Sequence, residues 1–426
     1  MMKILFISHG HPAFVPGGGE IAAYELFQGF QSAGEDTHFL ARTGPPHHRP
    51  HGGTPFLACG NNSREYFFYS RDIDHFLQSS RVTDWGLLRE FLESVRPDVV
   101  HFQHTAHLGM EWLEICRQCL PNAAIIYTLH EYLPICNHAG QMIRTYDRQV
   151  CEGWSPANCH LCFPEHTPQD FRLRELFIKT HFRNVDTFVS PSRFLMNRYV
   201  EWGIPESALH FIENGRKIQP EAPPRLLPPD EGRANFGYLG QLNPFKGVLV
   251  LIEAMRLLAR SSEGRRIRLF IHGSNLETQP PEFQEQYAAA LEACEGNVTV
   301  RPAYTIDEMP HLMQQIDWVV APSIWYENAP LVVQEAYMHK RPVISSDIGG
   351  MAEKVVDGVT GLHFRSGSSE DLARVLLHAA GSPQLWESLR AAAPPVFSIE
   401  QSMTAHRELY EQILRRRLEG VLAVSG

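Results

Sequence analysis

Ala321-Pro322-Ser323-Ile324-Trp325-Tyr326-Glu327-Asn328-Ala329-Pro330-Leu331-Val332-Val333-Gln334-Glu335-Ala336 runs from the end of a strand, through a loop, into a helix. The strand is the unbroken apolar run Trp318 to Ala321, as a sheet covered on both faces requires. Pro330 is expected at the first helical position, where the missing N–H would have had no partner. A second strand, Pro342 to Ser346, follows the helix. Strand, helix, strand in this rhythm means parallel pairing through right-handed crossovers.

The same rhythm extends in both directions. Asn235 to Leu239 and Arg268 to Ile271 are further strands of the second half. In the first half, Lys3 to Ser8, Asp98 to Phe102, Ala124 to Thr128 and Thr187 to Ser190 read as strands. An amphipathic helix is expected from Ile21 to Ala33, with Ala22, Leu26, Phe27 and Phe30 at helical spacing. Between the halves, Gln219 to Pro224 and Pro228 to Asp230 can hold neither helix nor central strand. The expected organisation is a first domain over 1–216 with a loop-rich, cysteine-bearing insert near 131–170. A proline-rich linker covers 217–232, a second domain 233–397 and a terminal helix 398–426. The fold class is α/β, two doubly wound halves with a cleft between them. Open sheets of this kind bind ligands at the carboxyl ends of their strands.

The chain has 426 residues, 43% of them hydrophobic and 20% charged, which excludes wholesale disorder. Its formal charge of −10 argues against a nucleic-acid-coating protein. No stretch approaches 18 unbroken apolar residues, so no membrane span is expected. The N-terminus is too short in apolar residues for a secretory leader, which predicts a cytoplasmic protein. Eight cysteines are too sparse for a disulfide scaffold, yet six lie between Cys116 and Cys162. Cys136, Cys151, Cys159 and Cys162 include one C-x2-C pair, a half-site zinc uses, and are a candidate structural metal set. Packed, reduced thiols are the alternative. Cys116 and Cys119, three apart on a helix, read as core. His101, His104 and His107, at a strand end and the loop after it, are candidates to line an acceptor side.

Amides of Ala329, Leu331 and Val332 at a helix start, together with the helix dipole, make a seat for phosphate. Glu327 and Glu335 would lie about 12 Å apart along a helix at ~1.5 Å per residue. That is too far for a retaining glycosidase pair, whose carboxylates sit about 5–5.5 Å apart. They suit the two ends of a long polar ligand such as a nucleotide sugar. Lys246, in the loop after the first strand of the second half, can balance a leaving diphosphate without a metal ion. Gly17-Gly18-Gly19 lets backbone approach a ligand, but lacks the dinucleotide-binding spacing. His130 sits at the exit of a strand, where a polar residue would face the ligand.

Asn328 to Glu335 with Glu327 before it, then Arg341 to Gly350, Glu353 and Asp357 to Leu362, resemble the signature of the family 4 retaining glycosyltransferases. Gly17 to Gly19, His130, Asn214-Gly215 and Lys246-Gly247 fall in the order of that family. The resemblance implies a GT-B fold with the donor held by the second domain and the terminal helix crossing back to the first. It implies that Glu327 contacts donor sugar hydroxyls and Glu335 the ribose. Lys246, with the backbone of Asn328, Ala329, Pro330, Leu331 and Val332, would hold the diphosphate. Gly18 and Gly19 would approach it from the first domain, and His130 would support the anomeric centre. Gln241 stands where the family usually has Arg, which removes one cation from the diphosphate. Some bacterial relatives resemble the cysteine insert too.

The implied activity is retaining transfer from a nucleotide-diphosphate sugar to a saccharide or lipid-linked acceptor, with no metal cofactor for transfer. A peripheral contact at a membrane face and a structural zinc are the additional candidates. A sugar-nucleotide epimerase or hydrolase, and a non-catalytic nucleotide-sugar binder, are the alternatives.

Overall fold

The computed structural model describes every residue except 45–46, 49–53, 60–61, 71–73, 79–84, 229–230, 295 and 426. The chain divides into two compact units. One comprises Met1–Lys217 with Phe397–Gly426, the other Ile218–Val396.

The first unit is built on β1 (Lys3–Ser8), β2 (Asp36–Thr43), β3 (Phe56–Cys59), β4 (Asn62–Tyr69), β5 (Val99–Phe102), β6 (Ala124–Thr128), β7 (Thr187–Ser190) and β8 (Leu209–Phe211). They lie in the order β3-β4-β2-β1-β5-β6-β7-β8. The order reverses at β1, where Ile4 faces Thr37 of β2 on one side and Val99 of β5 on the other. All neighbours are parallel except β3, an antiparallel edge strand on β4. Ile4 to Ile7 are wholly buried, which is why these strands read as continuous apolar runs.

The helix Ile399–Ser425 groups with this unit and packs on the helix Gly18–Ser32. Gly29 permits the contact, since a Cβ there would come within 2.6 Å of Met403 Sδ. Phe30 and Tyr410 stack with ring centroids 5.8 Å apart. The returning chain is pinned at Arg216, whose N–H donates to Phe397 O (3.0 Å) and whose carbonyl accepts from Ile399 N–H (2.9 Å). Gly215 lies against this junction, where a Cβ would meet Ser402 Cβ at 2.6 Å.

The second unit has β9 (Asn235–Gln241), β10 (Arg268–Ser274), β11 (Val298–Arg301), β12 (Trp318–Ala321), β13 (Val343–Ser346) and β14 (Gly361–Phe364). The order is β11-β10-β9-β12-β13-β14, all parallel, reversing between β9 and β12. Phe236 and Trp318, side by side at that reversal, stack 6.3 Å apart.

The stretch expected to be a proline-rich linker, 217–232, groups from Ile218 onward with the second unit. Residues 229–230 lie outside the described residues. Prolines leave carbonyls without ladder partners, and a buried cation satisfies them here. Arg341, 0% exposed, donates to Pro223 O (2.8 Å), Ala222 O (3.4 Å) and Met313 O (2.9 Å). Arg225 adds a bond to the buried carboxylate of Asp317 (3.0 Å).

Candidate active site

In the second unit, the loops after β9 and β12 meet at the point where the strand order reverses. Asn243 Oδ1 accepts from the N–H groups of Phe245 (2.9 Å) and Lys246 (3.0 Å), closing a tight turn. Gly247 then adopts φ 70° and caps the helix Val248–Leu258. Only glycine fits, because a Cβ would collide with Pro322 O of the neighbouring loop. Ile324 N–H donates to Phe245 O (2.9 Å), joining the two loops.

This junction places Lys246 Nζ 2.6 Å from Glu327 Oε1. The same oxygen accepts from Ser323 Oγ–H (2.7 Å) and Trp325 Nε1–H (2.9 Å). Three donors therefore converge on Oε1, and none of these bonds engages Oε2. Glu327 is 6% exposed, and Lys246 Nζ also stands 5.6 Å from the Trp325 ring centroid.

The loop is held from its other side. Gly350 N–H donates to Glu327 O (2.7 Å), and a Cβ on Gly350 would collide with Asn328 O. Ser346 Oγ–H donates to Ser323 O (2.7 Å). Gly349 and Gly350, which end the Arg341 to Gly350 stretch, are thus a packing requirement of the 323–328 loop.

The helix after this loop is Leu331–Met338, with Pro330 as its N-cap and not its first helical residue. The reason is ψ 116° at Pro330, which is extended backbone. Leu331 and Val332 then carry the leading amides, while Val333 N–H already donates to Pro330 O (3.1 Å). Glu335, one turn in, is 7% exposed. Gln241 ends β9, its carbonyl accepting from Tyr238 OH (2.6 Å). Lys246, Glu327, Asn328, Pro330 and Gln241 thus all lie on strand ends and loops at one reversal.

In the first unit, the carboxyl ends of β1, β5 and β6 carry a cluster with little signature in the sequence. His9 Nε2 pairs with Glu20 at 3.0 Å. Burial works against both charges, but the pairing wins. His9 is raised above its ordinary value and Glu20 falls to about 2. The glycines explain themselves around Glu20: a Cβ on Gly17 would collide with its carboxylate, and one on Gly10 would lie 3.1 Å from Oε1. The His9 ring lies 4.3 Å from that of His104, whose Nε2 sits 2.7 Å from Glu131 Oε1.

His130 Nε2–H donates to Gln103 Oε1 (2.8 Å), and Gly19 leaves room for it, since a Cβ would stand 3.3 Å from its Cγ. Burial, with His104 and His9 beside it, lowers His130 to about 3, so it is a neutral imidazole. Gly18 and Gly19 open the first turn of the helix at the same edge. His101 does not line this edge. It is 0% exposed, bonded to Tyr410 OH (2.6 Å) and Thr128 Oγ (2.7 Å), and belongs to the core. The missed pair had one signal, a carboxylate directly after the glycine run; its partner His9 lies on another element.

Cys116 is buried core on the helix Glu111–Cys119. Cys136, Cys151, Cys159 and Cys162 are free thiols lining one cavity of about 110 Å³. No three of their sulfurs lie within 4.8 Å of one another. Among the described residues the group that does is His11, Cys59 and Glu65. Its hydrogen bonds speak against an ion. Ala13 N–H donates to His11 Nδ1 (3.2 Å), so the neutral ring keeps its proton on Nε2, 3.3 Å from Glu65. Tyr24 OH also donates to Glu65 (3.2 Å). The group is a satisfied carboxylate.

Residues 16–219 match the profile described as Glycosyltransferase Family 4, and residues 233–381 that of Glycosyl transferases group 1. A D-inositol 3-phosphate glycosyltransferase of Nocardia farcinica is 33% identical over 147 residues, 34% of this chain and 32% of that protein. The match thus spans about a third of that relative's length. Two solved structures are similar over nearly the whole chain at 17% identity. One is a sucrose-phosphate synthase from Thermosynechococcus elongatus, covering 98% of this chain and 100% of that one with TM-score 0.71. The other is Anabaena HepE in complex with UDP and glucose, covering 97% and 100% with TM-score 0.66. These likenesses establish the fold as GT-B, two Rossmann-like α/β units. No helix among the described residues is long and apolar enough to cross a membrane.

Proposed function

We propose, from the premise that the two halves carry a Family 4 and a group 1 glycosyltransferase domain, that the chain is a retaining glycosyltransferase. It moves a hexose from a nucleotide-diphosphate sugar to a hydroxyl of a saccharide or lipid-linked acceptor. The observation that carries this is the 2.6 Å contact between Lys246 and Glu327, beside the leading amides of the helix Leu331–Met338. A cation, a carboxylate whose three described side-chain bonds all go to Oε1 and a helix mouth together suit a diphosphate flanked by hydroxylated groups.

Lys246 Nζ and the Leu331 and Val332 amides donate to the diphosphate oxygens. Glu327 Oε2 accepts from a donor-sugar hydroxyl, and Glu335 serves the ribose. Trp325 and Ser323 hold Glu327 in its rotamer, so its orientation is set before substrate arrives. The leaving diphosphate gathers charge as the glycosidic bond to its oxygen breaks, and Lys246 stabilises that charge. The acceptor hydroxyl attacks from the same face, and a phosphate oxygen takes its proton. No residue has to ionise, in keeping with neutral His130. UDP in the complex of the similar Anabaena protein makes a uridine donor the first to try. Gln241 supplies an amide and no charge, so the diphosphate relies more heavily on Lys246. Transfer takes place on the cytoplasmic side, the acceptor being presented in solution or at a membrane face.

The test is product analysis. Incubation with UDP-, GDP- and ADP-sugars and saccharide acceptors should give one glycoside, with the anomeric configuration of the donor by NMR. An inverted product overturns the retaining assignment. Free sugar and nucleotide with every acceptor indicates a hydrolase, and tight binding with no turnover a binding protein.

A further inference from the structure

The segment between β6 and the helix Pro168–Phe182 has little regular secondary structure. Its one bridge is Ile143 with Val150, and its short helix, Pro156–Cys162, buries none of its residues. Three non-glycine residues in it, Ala139, Met142 and Arg148, have φ of 46°, 51° and 58°. Such left-handed backbone persists only where surroundings fix it. Its buried apolar side chains, Leu129, Tyr132, Ile135, Met142 and Ile143, all precede residue 144, and a stretch such as 144–167 with none ordinarily needs a cross-link or a metal.

What lies at its centre is a cavity of about 110 Å³ ringed by Cys136, Cys151, Cys159 and Cys162, with no disulfide among them. Thiols that merely filled core would close on each other and leave no void. Cys159 and Cys162 share a face of the short helix, which Ser155 caps through Asn158 N–H (3.1 Å). Beside them is a second, independent feature. Arg174 is 2% exposed and makes no ion pair with a carboxylate among the described residues; Cys136 and Cys159 lie near it, with Glu131 the carboxylate in its surroundings. Its guanidinium bonds only to backbone carbonyls: Pro134 (2.7 Å), Leu133 (2.6 Å) and His75 (2.8 Å). A buried cation of this kind calls for a compensating negative charge nearby.

We propose that Cys136, Cys151, Cys159 and Cys162 bind one structural zinc ion. Each cysteine gives up its proton to solvent and supplies a thiolate lone pair at about 2.3 Å, in tetrahedral geometry. Four thiolates and one divalent zinc carry a net charge of −2, which Arg174 offsets in part. Because no three sulfurs yet lie within 4.8 Å, binding draws them inward across the cavity by rotation about χ1. Arg174 holds Leu133 and Pro134, a few residues after His130, so the zinc centre stiffens the loop that leaves the β6 edge.

The test uses the full chain purified without added metal. Elemental analysis should find about one zinc per chain. Cys159→Ser and Cys162→Ser should fall below a tenth of an equivalent, while Cys116→Ser keeps the metal. If the variants do not fold, chelator-stripped native protein should take up one cobalt ion and show the absorption of a tetrahedral cobalt–thiolate centre, abolished by competing zinc. Metal removal should speed proteolysis within 137–163 before it changes transfer. Zinc below a tenth of an equivalent together with no cobalt–thiolate band, full zinc in Cys159→Ser, or bound iron in place of zinc, each overturns the proposal.

Discussion

Replacing Lys246 with methionine removes the cation from Glu327 and keeps most of the apolar stem. Glu327 Oε1 then retains two neutral donors, Ser323 at 2.7 Å and Trp325 at 2.9 Å. The charge-assisted bond lost is worth about 1.5–3 kcal/mol. The Lys246 side chain is 28% exposed, so solvent makes good part of that, and about 1–2 kcal/mol is expected. At roughly 2–4 °C per kcal/mol, the melting temperature should fall by about 2–8 °C. The effect on transfer is larger. Losing the charge that faces the leaving diphosphate should cost about 10²–10³ in kcat, some 2.7–4 kcal/mol.

The second arm is Lys246→Met with Glu327→Gln. A neutral amide needs no cation, so the double variant should regain most of the stability and none of the transfer. The assay is steady-state transfer at saturating donor beside thermal unfolding of the same samples. Recovery of stability and activity together would mean that the pair only props the loop. Near-native turnover in Lys246→Met alone would refute the role of Lys246.

His130 sets a pH dependence. Its folded value of about 3 lies below the ordinary 6.5, so below pH 6.5 the unfolded chain takes a proton that the folded one refuses until about pH 3. Stability from this residue is present above pH 6.5 and declines by up to about 1.4 kcal/mol per pH unit as pH falls through that window. His130→Gln should flatten the acid limb of a urea-denaturation series, and an unchanged slope would count against burial of a neutral ring. Gly350→Ala should displace the 326–328 loop, because its Cβ meets Asn328 O, and should lower nucleotide affinity at least tenfold by calorimetry. Wild-type affinity there would show that the loop position does not matter. Tyr410→Phe removes the bond to His101 Nδ1 (2.6 Å) and should cost about 1–3 kcal/mol of stability, with no change in donor affinity.

The alternation of strands and helices could be read because parallel strands, covered on both faces, carry unbroken apolar runs such as Leu5 to Ile7. The antiparallel β3 was missed. It is a half-exposed edge of four residues and carries no such run. Proline chemistry marks the stretch 217–232 as a linker because it forbids ladder bonds; the buried Arg341 that supplies other donors to Ala222 and Pro223 lies more than a hundred residues away. Lys246, Glu327 and the helix mouth were legible because each sits in a loop directly after a strand. The contact between Lys246 and Glu327 was not, since it depends on the register of β9 against β12. His9 with Glu20 and His104 with Glu131 were hidden for the same reason, each pair joining two elements. The left-handed backbone of Met142 and Arg148 gave no sign in the sequence, where neither residue type favours it.

A nucleotide diphosphate that settles on Lys246, Glu327 and the helix mouth of the second unit should be visible to amide hydrogen exchange with UDP, GDP and ADP added in turn. At least one nucleotide should slow exchange in 243–248 and 323–335, and Lys246→Met should abolish that protection. Protection confined to other segments, or none with any of the three, would contradict that placement.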